Sequence, residues 1–116
     1  MGTIQHHAVI ATTWNTKVFN AVVKWTKALD EPGVRELFVF NSYVMVNEFH
    51  TIVLTPDGSK EGWEDSQAGD DLRTRFIAML ETFDNKDGSN PFDYIEVSYG
   101  ELGAVLLRTN TQETEK

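Results

Sequence analysis

The 116-residue chain contains no cysteine and only three prolines. Without cysteine there is no disulfide, no thiolate zinc site and no thiol nucleophile, so the fold stands on its own core. That absence suits a reducing compartment, and a cytoplasmic setting is expected. Basic residues are also scarce: ten Lys and Arg against eighteen Asp and Glu leave a net charge of −8. A field of that sign repels phosphate backbones, so general nucleic-acid binding is not expected. No window approaches the roughly 20 apolar residues of a membrane-spanning helix. The start MGTIQHHAVIATTW lacks the basic segment and long apolar run of a signal peptide, so no membrane partner is expected.

Catalytic signatures are missing as well. There is no GxSxG elbow, no P-loop, no GxGxxG and no HExxH. The crowded acids Asp57, Glu61, Glu64, Asp65, Asp70 and Asp71 do not follow the alternating oxygen pattern of a calcium loop and suit a solvated acidic segment. No catalytic residue, metal or cofactor is therefore assigned, and a non-enzymatic role is expected.

What is present is a core. An apolar share of 41%, with 11% aromatic, suffices for one compact unit of this length. A single domain is expected over residues 1–109, followed by the polar tail NTQETEK at 110–116. HHAVIATT, from His6 to Thr13, is apolar and β-branched and predicts a strand. Val18, Phe19, Val22, Thr26 and Leu29 recur at helical spacing, which predicts a helix over about 15–29. Asn15 suits its N-cap and Trp14 a staple onto Phe19. The DEPG stretch at Asp30–Gly33 ends it.

The β-rich run from Glu36 to Thr55 predicts two antiparallel strands, about Glu36–Val46 and Phe49–Thr55, turning at Asn47-Glu48. Leu72, Phe76, Ile77, Leu80 and Phe83 then predict a second helix over about 70–83, capped by Asp70 or Asp71. YIEVSY and AVLLRT supply a fourth and a short fifth strand. The order β-α-β-β-α-β with right-handed crossovers predicts an α+β ferredoxin-like sandwich, an antiparallel sheet of four to five strands with two helices on one face. The strands are apolar at both parities, so the other face is expected to be covered, either by the chain's own loops or by a homodimer partner through the open sheet or an edge strand.

Two groups of side chains stand out as site candidates. The first is the long loop TPDGSKEGWEDSQAGDD, Thr55 to Asp71, longer than ordinary connections and carrying a tryptophan among acids. Trp63 suits either a lid or an aromatic anchor, with Lys60, Glu61, Glu64 and Asp65 around it and Arg73 and Arg75 at the expected helix start, where they would meet phosphate or carboxylate. The second is a polar site formed by His7 and His50, on strands that are neighbours in this topology. Adjacent histidines on one strand point to opposite faces, so His6 and His7 do not form a metal pair.

HHAVIATTW, TPDGSKEGWEDSQAGDDLRTRFI and FDYIEVSYGELG also carry a resemblance. Together they resemble a set of small uncharacterised proteins of bacteriophages and prophages, with a start like HHAIIVTSW, a PDGSKEGW motif and a WVEVxYG-type strand. The resemblance covers roughly half of the chain and departs from the pattern at Asp93-Tyr94, where tryptophan is usual. It implies a phage-infected bacterial cytoplasm and an accessory role, anti-defence or host takeover, in which the protein engages a host protein or a small ligand. The alternatives are a small enzyme using His7 and His50, or a virion assembly protein.

Overall fold

A computed structural model of the chain describes residues 4–31, 33–45, 48–58 and 64–111, with the backbone alone for 64–66. Five strands and two helices follow one another: β1 (Gln5–Thr13), α1 (Thr16–Lys27), β2 (Phe38–Tyr43), β3 (Phe49–Leu54), α2 (Glu64–Glu81), β4 (Asp93–Gly100) and β5 (Val105–Thr109), with a 3-10 turn at Arg35–Leu37 before β2. The strands form one antiparallel sheet in the order β2-β3-β1-β4-β5. This is the ferredoxin-like arrangement, with β5 added at one edge.

Local chemistry sets the elements. The Asn15 side chain accepts from the amides of Lys17 and Val18 at 3.0 and 3.2 Å, so α1 starts where its cap is. Lys24 and Lys27 sit in the last turn, at the negative end of the helix dipole. Gly33 then takes φ 78°, a left-handed conformation that ends the connection at low cost. Trp14 does not staple onto Phe19. It packs on Phe49 with ring centroids 4.9 Å apart, because β3 brings that ring closer than the helix does.

The helix α2 begins at Glu64, earlier than the hydrophobic stripe indicates. The buried stripe starts at Leu72, whereas Gln67 and Ala68 before it are exposed, so hydrophobic spacing does not mark the first turns of the helix. Asp70 and Asp71 are therefore inside the helix and do not cap it. Similarly β2 ends at Tyr43, short of the expected Val46.

Both helices pack on one face of the sheet. Val9 and Ala11 of β1, Phe38 of β2, Ile52 and Leu54 of β3 and Tyr94 of β4 point into the core against Phe19, Val22, Leu72, Phe76, Ile77 and Leu80. Phe76 meets Phe38 edge-on at 5.2 Å, and Trp25 stacks over Phe76 at 6.3 Å, which ties the two helices together. Order extends past residue 109. The Asn110 side chain accepts from the Tyr94 amide at 2.9 Å and donates to the Phe92 carbonyl at 2.8 Å, closing the end of the β4-β5 pair. The remainder of the expected tail, 112–116, lies outside the described residues.

Candidate functional site: an uncovered sheet face

The histidines do not form one site. His50 stands opposite Thr13 and His7 opposite Ser98, so the two are separated by six positions of β1. At about 3.3 Å per residue that is close to 20 Å. The neighbouring strands are as expected, but their register places the rings at opposite ends.

His50 is buried and fully engaged. Its Nδ1 lies 2.7 Å from Ser42 Oγ and its Nε2 3.0 Å from Thr16 Oγ1, while Thr16 donates to Glu48 Oε2 at 3.1 Å. Thr16 spends its proton on Glu48, so it accepts from His50 Nε2–H, and Ser42 then donates to Nδ1. A directed chain of bonds runs Ser42, His50, Thr16, Glu48. Phe19 stacks on the imidazole at 4.2 Å and 12°. The chain clamps the start of α1 to the β2-β3 hairpin and leaves neither ring nitrogen free for a metal. Glu48 adopts φ 56°, unusual for a residue with a side chain, and the bond from Thr16 holds it there.

The arginines of α2 are not surface anchors together. Arg73 and Glu96 are both buried, with Arg73 Nε 3.6 Å from Glu96 Oε2. Arg73 also bonds Asp70, and Glu96 bonds Arg108 of β5 on its other side. The Glu96 hydrogen bond raises the Arg108 pKa further above its ordinary value. Helical phase explains the misplacement: Arg73 lies on the turn shared with the buried Leu72 and Phe76, and sequence hydrophobicity alone puts any guanidinium outside. Arg75 is half-exposed and makes a bidentate pair with Glu31, both contacts 2.9 Å, which joins α2 to the loop after α1. Those bonds hold the Glu31 carboxyl below its ordinary range.

Trp63, Lys60 and Glu61 lie outside the described residues, and of Glu64 and Asp65 only the helical backbone is described. Among the described residues no group of three or more acidic or histidine side chains is placed to hold a metal ion, and no helix is long and apolar enough to cross a membrane.

The most unusual described surface is the sheet face opposite the helices. Registers align Val39, Val53, Ile10 and Ile95 in one row across β2, β3, β1 and β4, and Ala8, Val97 and Leu106 in the next. His6 and Tyr99 pair at one end, their rings 5.1 Å apart, and Tyr43 faces Phe49 at the other. Exposure is high for apolar side chains: Val39 is 50% exposed, Tyr43 53%, Tyr99 45% and Ile10 37%. In a chain with eighteen acids, Asp93 is the one carboxylate contributed to this face by its strands. Alternating strand geometry puts these side chains on one face, where Ile10, Val39 and Leu106 are exposed and Ala8 is buried among its neighbours. Its sequence signal was the lack of polar alternation in β1 and β2.

No family model matches the chain, and neither a curated protein nor a solved structure matches it.

Proposed function

We propose that the protein is a non-enzymatic binding protein that docks a partner protein on its uncovered sheet face. One observation carries this reading: an apolar row, Val39, Val53, Ile10 and Ile95, crosses four strands almost free of charge, with Val39 and Ile10 exposed and Val53 and Ile95 partly so. Contiguous apolar patches of this kind on a folded chain mark interaction surfaces. Shape favours a protein over a small ligand. The depression bounded by Ile10, Thr12, Asp93 and Ile95 holds about 220 Å³, below the roughly 300–1,000 Å³ of small-molecule sites. In the phage setting that the resemblance implies, the partner is a host protein, and anti-defence or host takeover is the outcome of binding it. The test is capture from bacterial lysate with the wild type and with Ile10→Lys, which puts a charge at the centre of the rows. Binding through this face requires that the charge abolish capture.

The directed bonds from Ser42 to Glu48 favour a second reading, a small enzyme with Ser42 as nucleophile and His50 as its base. A fluorophosphonate probe tests it. Labelling of Ser42 no faster than that of the exposed Ser89 dismisses it.

A further inference from the structure

We infer that β2 is the seam of a symmetric dimer, in which the β2 strands of two copies pair antiparallel and join their sheets into one of ten strands. The inference is independent of the open-face reading and rests on the sheet edge.

The two edges differ. At β5 the pairing is interrupted by a register shift beside Glu96 and Val97, and the strand carries Arg108. Bulges and charges of that kind are the usual protection against edge pairing. At β2 neither is present. Phe38–Tyr43 holds six consecutive unbroken pairs with β3 and contains no charged residue and no proline. After Phe38 every residue of β2 is exposed.

Hydrogen-bond alternation identifies which backbone groups face outward. Thr55 donates to the Leu37 carbonyl at 2.8 Å, in register with the strand pair. Along an antiparallel ladder the bonded positions alternate, so Val39, Asn41 and Tyr43 bond to β3 while Phe38, Phe40 and Ser42 present their N–H and C=O to solvent. Two copies satisfy these groups together when the twofold axis passes beside Asn41. Phe40 of one copy then faces Ser42 of the other, which closes about four backbone bonds across the axis. Facing residues share a face in this register: Val39 lies beside Tyr43 of the mate, and the two Asn41 side chains meet, each amide able to donate and accept.

A second copy suits this edge because the unbroken, uncharged strand is complementary to itself about Asn41. Each chain carries −8, yet the strand that would meet its mate is neutral. The nearest charges sit outside it, Arg35 and Glu36 before and Glu48 after, so pairing along β2 itself sets no like charges against each other. An isologous contact closes on itself and repeats every favourable pair twice. The axis is perpendicular to the sheet, so all four helices stay on one side and the open face doubles in width.

The chain has no cysteine, which makes the test clean. Paired without direct bonds on the axis, the two Asn41 Cα atoms would be about 4.5 Å apart, within disulfide range. Asn41→Cys, oxidised in air, is compared with Asn20→Cys on the exposed side of α1, and wild type and Asn41→Lys are compared by sedimentation. The expected results are a linked species of twice 13.1 kDa forming at least tenfold faster from Asn41→Cys, a dimeric wild type and a monomeric Asn41→Lys. Equal linking rates, a wild type monomeric at high micromolar concentration, or a dimer indifferent to Asn41→Lys would each overturn the seam. Ile10→Lys separates the two proposals, since it removes open-face binding and leaves Asn41→Cys linking unchanged.

Discussion

The Arg73 guanidinium and the Glu96 carboxylate face each other across 3.6 Å inside the protein, each side chain about 5% exposed or less. Arg108 meets the same carboxylate from β5 and Asp70 meets the same guanidinium from α2. The group balances its charges and fastens α2 to the far end of the sheet. Breaking it by Glu96→Ala removes the buried carboxylate between Arg73 and Arg108, leaves Arg73 with Asp70, and is expected to cost about 3 kcal/mol of stability. The double change Arg73→Met with Glu96→Leu removes both charges and should cost less than the single one. Urea unfolding of the two variants checks the order, and a double change costing more than Glu96→Ala would contradict it.

The clamp around His50 gives a second expectation. Loss of its ring in His50→Ala opens space beneath Phe19 and takes one partner from each of Ser42 and Thr16, for about 3 kcal/mol of destabilisation. Ser42→Ala removes one bond and should cost about 1 kcal/mol. Nitrogen NMR should find the proton of His50 on Nε2, and the opposite tautomer would reverse the direction of the chain.

Alkaline stability offers a third. Burial, followed by the nearby Glu81 carboxylate 3.3 Å from its hydroxyl, raises the Tyr94 pKa above its ordinary value. A raised folded-state pKa contributes stability that is present below the unfolded value of about 10 and is lost as pH rises through the folded value. Melting temperature should therefore fall above pH 10, with a shallower fall in Tyr94→Phe. Identical slopes for the two proteins would remove Tyr94 from the account.

Much of this architecture is legible in the residues. Periodicity locates both helices, the Asn15 cap locates the start of α1, and apolar runs locate the strands, because each of those signals is local. The fold class follows from element order and the handedness of crossovers. Register is not local. The same two strands place His7 and His50 near or far according to which residues pair, and nothing in HHAVIATT or FHTIVL states that Thr13 faces His50. Arg73 was obscured for another reason: a guanidinium goes inside only when distant residues such as Glu96 and Asp70 await it, and single-sequence hydrophobicity is blind to such partners. Strands apolar at both parities point to a covered second face, whereas Ile10, Val39, Tyr43 and Tyr99 are exposed there in the single chain.

The most direct measurement of the central claim is quantitative capture from bacterial lysate by wild type, Ile10→Lys and Lys24→Ala, all three shown to be folded by circular dichroism. Ile10 sits at the middle of the exposed rows, and Lys24 is an exposed residue of α1 on the opposite side of the molecule. The account predicts a protein held equally by wild type and Lys24→Ala and reduced at least tenfold by Ile10→Lys. Capture undiminished by Ile10→Lys, or no protein that distinguishes the three, would contradict it.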